Sequence, residues 1–449
     1  MPERRTEVYD VVINGASVAG CAAAILYARR GARVALLERR SGMSAHKVLC
    51  THYIQASAYP VMAELGLAEA LDGIGAVRNS ADYWTKWGWI KPEAETGPGV
   101  LPHGYSVRRE SLDPLLRRMA AGTPGVDLKT GHTVNELIAE GDRVVGVAGT
   151  SAEGTFAVRA ELVVGADGKD STVARLAGAP AETADNNRFS YFAYFRGIPH
   201  PEGRRSARVY YLDPDNAYVM PNEDGVTVIA AVLSKARLDE FRDDIEGAYR
   251  NFVRSLPEGP DIDKAEMISK VIGTLNYPLI SRRPSGAGYA LIGDAALTSD
   301  PLSAVGCAWA MQSASWLVGA TSDALLGNGE LDTALTAYTE RHAVETGAHH
   351  HLIADYAQAR PFNEIEAFMF EAAARDSRLA QHFHTFGSRL MTLEDFMAPD
   401  VVAHAEKVNG WSLSEETLRS LAEGPPVAEA HTAGHGTTSA VAGTEGDAR

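Results

Sequence analysis

The feature that most constrains this chain is at its start: an apolar strand, a glycine turn and a helix follow one another without a break from Tyr9 to Arg30. Tyr9-Asp10-Val11-Val12-Ile13-Asn14 is a short apolar run of the kind buried in a parallel sheet. The helix after it carries Ala22, Ala23, Ile25, Leu26 and Ala28, Gly31 closes it, and a second strand from Arg33 to Glu38 ends in an acid. The turn reads Gly15-Ala16-Ser17-Val18-Ala19-Gly20, a G-x-G-x-x-G fingerprint with Ser17 in place of the middle glycine. Such a turn lets backbone approach a pyrophosphate, while the helix N-terminus offers N–H donors and the positive end of its dipole. A serine hydroxyl can itself donate to a phosphate oxygen. Glu38, 23 residues after Gly15, stands where a carboxylate accepts from a ribose diol, and Arg39 beside it is a further candidate contact. Gly15, Ser17, Val18, Ala19 and Gly20 thus point to a dinucleotide phosphate. Alone, they do not separate FAD from NAD or from an empty strand-turn-helix.

Two later segments repeat the pattern of a buried strand followed by an acid. In the first, Leu162 to Gly168 runs into Lys169 to Arg175, where Asp167 and Ser171 are placed to satisfy the orphan amides of a helix start. In the second, Tyr289 to Ala296 contains Gly293-Asp294 and leads through Asp300-Pro301 and Gly306 into the apolar helix Ala308 to Leu317. Asp294 can accept from a ribityl or ribose hydroxyl, and the helix N-terminus can face the electron-rich edge of a flavin ring.

In this order and spacing the three segments resemble the FAD-dependent monooxygenase superfamily, which includes aromatic hydroxylases, geranylgeranyl reductases and flavin-dependent halogenases. The resemblance covers roughly residues 8 to 330. It implies an α/β fold: a Rossmann-like FAD-binding domain (8–80, 105–180 and 281–330), an inserted antiparallel β-sheet substrate domain (81–104 and 181–280) and a C-terminal helical region (331–423). It also implies that Asp294 serves the ribityl chain of the flavin and that Asp167-Gly168 serves the FAD and nicotinamide pyrophosphates. Arg109, within Ser106 to Asp113, resembles the family's helix start at which an arginine contacts FAD; on its own it reads as a helix-surface charge. Two departures bear on nicotinamide rather than FAD. The arginine after Ser171 falls one position late, at Arg175, and Leu297 stands where many aromatic hydroxylases have histidine.

The loop Ser44 to His52 is similar in placement to the family loop that folds over FAD, and Lys47 there either pairs with the pyrophosphate as a point charge or is solvated. His46 and His52 have no third ligand near them, so no metal is expected. Phe189 to Ile198, Ala207 to Leu212 and Val226 to Leu233 alternate like an antiparallel sheet. If one face of that sheet closes over the flavin, Tyr194, Arg196, Tyr211 and Tyr218 are candidates to line a substrate pocket. Trp84, with Trp87 and Trp89 in an aromatic-rich loop from Asp82 to Pro92, is either packing or a wall for a flat apolar substrate. Leu331 to Leu421 is helical in pattern and reads as a cap or interface. His349, His350 and His351 point in different directions on such a helix and cannot form one ligand set. From about Gly424 the composition predicts a disordered tail.

A formal charge of −16 over 449 residues, with no Lys/Arg block, argues against nucleic acid as a partner. The apolar runs are far shorter than the roughly 20 residues that span a bilayer, so no transmembrane segment is expected. Met1 to Glu7 is charged and lacks a secretory apolar segment, which leads us to expect the cytoplasm. Cys21, Cys50 and Cys307 have no metal-ligand spacing and read as buried thiols. The expected function is an FAD-dependent monooxygenase, with NAD(P)H as reductant and oxygen as co-substrate, that hydroxylates or epoxidises an aromatic or other electron-rich small molecule of secondary metabolism. No catalytic residue is assigned, since a flavin carries the redox chemistry itself. The alternatives are three. A reductase of isoprenoid-type double bonds is suggested by Lys47 to Cys50 and by Pro214 to Pro221, which lacks the expected tryptophan. A halogenase is suggested by Trp87 to Pro92, a superficial W-x-W similarity on the wrong side of Asp167-Gly168. The third is a flavin-binding protein without turnover. Oligomeric state is not specified by the sequence.

Overall fold

Val11, Val12 and Ile13 have no exposed surface because β1 (Glu7–Asn14) runs through the middle of an eight-stranded sheet. The computed structural model describes residues 7–92, 103–199 and 207–423, so the tail expected from Gly424 lies outside the described residues. β1 leads through the glycine turn into α1 (Val18–Arg29) and back to β2 (Val34–Glu38), which pairs parallel with it. The order across this sheet is 285–286, 289–291, 154–165, β1, β2 and 126–130, with the hairpin 133–140/143–151 laid antiparallel against 154–165. The four long-range neighbours around β1 are parallel, as expected of strands buried on both faces.

Two cores result from the alternation of side chains along these strands. Val11, Ile13, Leu36, Leu162 and Val164 face α1 and the long helix Gly306–Leu325; Val12, Ala35, Leu37 and Val163 face the other side, beneath the hairpin and the Thr172–Leu176 helix. α1 is buried all round except at Arg29, which explains its lack of a polar face: Ala22, Ala23 and Ala24 let the sheet and the Gly306–Leu325 helix approach it closely.

The second sheet runs in the order 266–267, 188–196, 226–234, 216–221, 207–211, 81–85 and 88–90. It corrects one expectation and adds a strand. Asp82 to Pro92 is largely a hairpin, Ala81–Thr85 with Gly88–Ile90, and Asn216–Pro221 is a strand between 226–234 and 207–211. Strand alternation also divides the substrate candidates. Trp84 is opposite Tyr210, on the face that the Ile245–Arg254 helix covers with Tyr249, Phe252 and Val253. Tyr194 pairs with Val228 and Tyr218 with Ala230, on the opposite face. Trp84 is therefore a packing residue a sheet's thickness away from those two, not part of a wall shared with them.

The C-terminal part is helical, as expected. Leu331–Tyr356 packs along Gly306–Leu325, and Glu364–Arg375, Ser377–Gly387 and Pro399–Asn409 follow. Tyr211 is spent joining these helices to the second sheet. Its ring lies 4.9 Å from Phe370 and 6.4 Å from Phe383, and Tyr83 next to it meets Phe383 edge-on at 5.1 Å. A second unit begins at Ser414, and the helix Glu415–Glu423 is its described part. No helix among the described residues is long and apolar enough to cross a membrane.

Candidate functional site

The turn after β1 requires its two outer glycines for steric reasons. Gly15 has φ +109°, and a Cβ there would lie 2.5 Å from the Ala166 carbonyl oxygen; a Cβ on Gly20 would lie 1.8 Å from that of Gly15. The middle position is different. Ser17 occupies the N-cap of α1, yet its hydroxyl makes no capping bond, so the first N–H groups of the helix, from Val18 to Gly20, keep no partner from the cap. Ser17 Oγ instead accepts from Arg109 at 2.6 Å. Behind the turn, Glu38 accepts from the amides of Ala16 and Arg40, both at 3.0 Å, which ties the end of β2 to the glycine turn. Arg39 is exposed, whereas Val18 and Ala19 are buried, Ala19 against Gly293.

Asp167 closes the second turn. Its carboxylate accepts from Asn14 Nδ2 at 2.8 Å, Ser171 Oγ at 2.5 Å and the amides of Thr172 and Val173 at 2.7 and 3.3 Å. Ser171 in turn caps the helix through the Ala174 amide. The two side chains satisfy the orphan amides as their spacing predicted. Gly168, at φ +85°, makes the reversal between them.

An ionic cluster lies in front of the turn, and most of it joins residues distant in sequence. Arg109 and Asp113, one helical turn apart on Arg109–Ala121, are 4% and 0% exposed and meet at 2.9 Å from Nε to Oδ1. Asp113 also accepts the Lys47 amide at 2.9 Å, which brings the Lys47 loop against this helix. Arg117, fully buried one turn further along, donates to the Ala16 carbonyl at 2.8 Å, to Met43 at 3.0 Å and to Ala45. No sequence signal marks this clamp, because an arginine on an amphipathic helix ordinarily faces water. Lys47 Nζ reaches Asp294 Oδ2 at 2.9 Å, and the Tyr277 hydroxyl donates to the same oxygen at 3.3 Å. The Asp294 carboxylate holds the Lys47 ammonium above its ordinary pKa. Asp294 lies beside the head of the Gly306–Leu325 helix: a Cβ on Gly306 would be 4.0 Å from Asp294 Oδ1. Pro301 opens the short turn before that helix, where Asp300 accepts the Leu302 amide at 2.7 Å.

Of the four tyrosine and arginine candidates on the second sheet, Tyr194 is brought to this cluster. His52 Nε2 lies 2.6 Å from Tyr194 Oη, while His52 Nδ1 accepts the Arg109 amide at 3.0 Å. An imidazole that accepts at Nδ1 carries its proton on Nε2, so His52 donates to Tyr194 and the phenol retains its own proton for another acceptor. Tyr218 is buried with its hydroxyl on the Leu302 carbonyl, next to the turn at Pro301. Arg196 is exposed, two residues past Tyr194 on the same strand face. From sequence His52 is weighed only as a metal ligand and Tyr277 not at all; each lies in a loop with no periodicity to mark it.

A parallel sheet whose first strand ends in a glycine turn, a carboxylate tied behind that turn and a second one at the head of a buried helix define a dinucleotide-binding α/β protein. Residues 8–351 match the FAD binding domain family, and the chain belongs to it, which makes it an FAD-dependent oxidoreductase. It is 26% identical over 336 residues to a tryptophan 2-halogenase of Chondromyces crocatus, covering 72% of this chain but only 62% of the halogenase. A digeranylgeranylglycerophospholipid reductase of Methanococcoides burtonii is 24% identical over 74% of this chain and 79% of its own length. A 6-methylpretetramide 4-monooxygenase of Streptomyces rimosus is 27% identical over 68% and 73%. Among solved structures, the flavin-dependent brominase Bmp2 superposes with a TM-score of 0.74 at 19% identity, over 90% of this chain and 99% of the brominase. That likeness is one of fold.

Proposed function

We propose that the chain binds FAD along the line from the head of α1 to the head of the Gly306–Leu325 helix, and uses it as a monooxygenase on an aromatic or other electron-rich small molecule. The donor set supports the cofactor's placement. Gly15 makes the turn, Ser17 stands at the cap, Val18, Ala19 and Gly20 present the first helix amides, and Arg109 and Lys47 present cations, where a diphosphate needs them. Glu38 and Asp294, at opposite ends of that line, offer acceptors for the hydroxyls of a ribose and a ribityl chain. Arg39, Gly168, Pro301 and Gly306 are outer contacts. In this reading the first sheet with its helices (8–80, 105–180, 281–330) is the FAD module, and the second sheet (81–104, 181–280) is the substrate module.

When bound, FAD supplies the redox chemistry with NAD(P)H and oxygen. The protein's share is to bind, orient, exclude water and hold a proton. The observation that carries the monooxygenase reading is the His52–Tyr194 pair: His52 fixes the phenol so that its proton is offered to a substrate oxygen or nitrogen beside the cluster. A donor so placed can orient a polar-substituted aromatic by its heteroatom. The relatives named as reductases and halogenases define the competing outcomes. Turnover with NAD(P)H under isotopically labelled oxygen gas is expected to give a product carrying one labelled oxygen atom. A product heavier by two hydrogens, a halide-dependent mass gain, or the absence of any turnover would refute the reading.

A further inference from the structure

Cys50 and Cys307 are separated by 257 residues, yet their sulfurs lie 4.0 Å apart. We propose that they form a reversible dithiol–disulfide site, oxidised by hydrogen peroxide, that joins the Ser44–His52 loop to the head of the Gly306–Leu325 helix.

The two cysteines are unlike in ways that suit attacking and resolving roles. Cys50 is partly exposed, on a stretch without regular secondary structure, and its sulfur accepts the His52 amide at 3.3 Å. The contact with Cys307 foremost, then the neighbouring His52 and the buried Arg109 guanidinium, hold its thiol below the usual range despite burial. Cys307, the second residue of its helix, is 7% exposed and is pushed the other way by the same contact and by burial. A thiolate is the nucleophile toward peroxide, so Cys50 reacts first. A disulfide needs the sulfurs at about 2.05 Å, a closure of about 2 Å that side-chain rotation and the irregular loop can supply. Cys21 is an internal control, since it is fully buried and its thiol is pushed up by that burial.

The chemistry balances. The Cys50 thiolate attacks one peroxide oxygen; an S–O bond forms, the O–O bond breaks, and the departing hydroxide is protonated to water. The Cys307 sulfur then attacks the Cys50 sulfur; the S–S bond forms, the S–O bond breaks, and a second water leaves. Two thiols lose two electrons and peroxide gains them. An added dithiol reverses the change by exchange. Nothing in these steps passes through a flavin, so the site stands or falls separately from the cofactor reading.

The test is peptide mapping of the full-length protein after brief hydrogen peroxide treatment and alkylation, with flavin content recorded in parallel. A Cys50–Cys307 cross-linked peptide, lighter by two hydrogens and reversed by dithiothreitol, is expected, with Cys21 unchanged. In Cys307→Ser the Cys50 sulfenic acid should persist long enough to be trapped by dimedone, and in Cys50→Ser neither remaining cysteine should react. Cys50 and Cys307 alkylated separately after peroxide, or a cross-link between two chains, would overturn the proposal. The wild-type map decides even if a variant fails to fold.

Discussion

Lys47 Nζ lies 2.9 Å from Asp294 Oδ2, so a loop after β2 is held against the residue that follows the last strand of the parallel sheet. The lysine side chain is still 41% exposed. It is thus paired but not locked, and free to turn its charge to an incoming phosphate. Lys47→Met should weaken FAD binding by about tenfold, or about 1.4 kcal/mol, the scale of one charge-assisted contact. Flavin fluorescence titration of the apoprotein checks this; an unchanged affinity would make Lys47 a partner of Asp294 and nothing more.

The Arg109–Asp113 pair behaves differently because it is almost wholly buried. Arg109→Leu leaves the Asp113 carboxylate with the Lys47 amide and a long Ser17 hydroxyl contact but no countercharge, and an unpaired buried charge costs about 3–5 kcal/mol. Urea unfolding should show a loss of that order, with Asp113→Asn milder because the amide can still accept from Lys47.

Glycines on two helices separate packing from propensity. Gly20→Ala places a methyl on the Gly15 carbonyl and should cost about 3 kcal/mol, the upper end for overpacking, with loss of bound flavin. Gly319→Ala meets nothing within 4 Å on an exposed helix position, and should stabilise by about 1 kcal/mol. Thermal unfolding of the two variants should move in opposite directions.

If the Tyr194 proton serves the substrate, Tyr194→Phe should keep flavin content and stability while turnover falls at least about tenfold, toward the range of a lost proton donor. A fall in flavin content equal to the fall in turnover would assign Tyr194 to the fold instead.

Four histidines, His342 buried and His349, His350 and His384 half-buried, give the chain a pH dependence of defined sign. Burial lowers His342 and His384 to about 4 and His349 to about 3, from 6.5. His384 Nδ1 lies 2.9 Å from the Tyr83 hydroxyl in a pocket that offers it no carboxylate partner among the described contacts, so protonation there gains no ion pair to offset the loss of water. Below 6.5 the unfolded chain binds protons that the folded one refuses, so stability is full above that pH and falls on acidification toward about 4. Burial lowers His350 in the same sense, and Asp300, raised by burial, works in the opposite one, one group against four histidines. Urea midpoints compared at about pH 7.5 and about pH 5 should show the loss, and His384→Gln should make it shallower.

What could be read from sequence was whatever is local. β1, its turn and α1 are continuous, and Asp167 lies within six residues of both amides it caps, so pattern and spacing sufficed. Lys47 with Asp294, His52 with Tyr194 and Cys50 with Cys307 were out of reach, because only the folded chain brings those loops together. The two readings of Trp84, packing or wall, stayed open for a related reason. Which face of the sheet it lies on depends on register against Tyr210, and a short hairpin read as loop has no register.

A flavin held between the head of α1 and Asp294 is what every proposed step requires. The most direct test is the flavin content of Asp294→Ala purified beside wild type, by absorbance per chain, with circular dichroism to confirm the fold. We predict yellow wild-type protein and a folded variant that has lost most of its FAD. A folded Asp294→Ala protein with undiminished flavin would contradict the account.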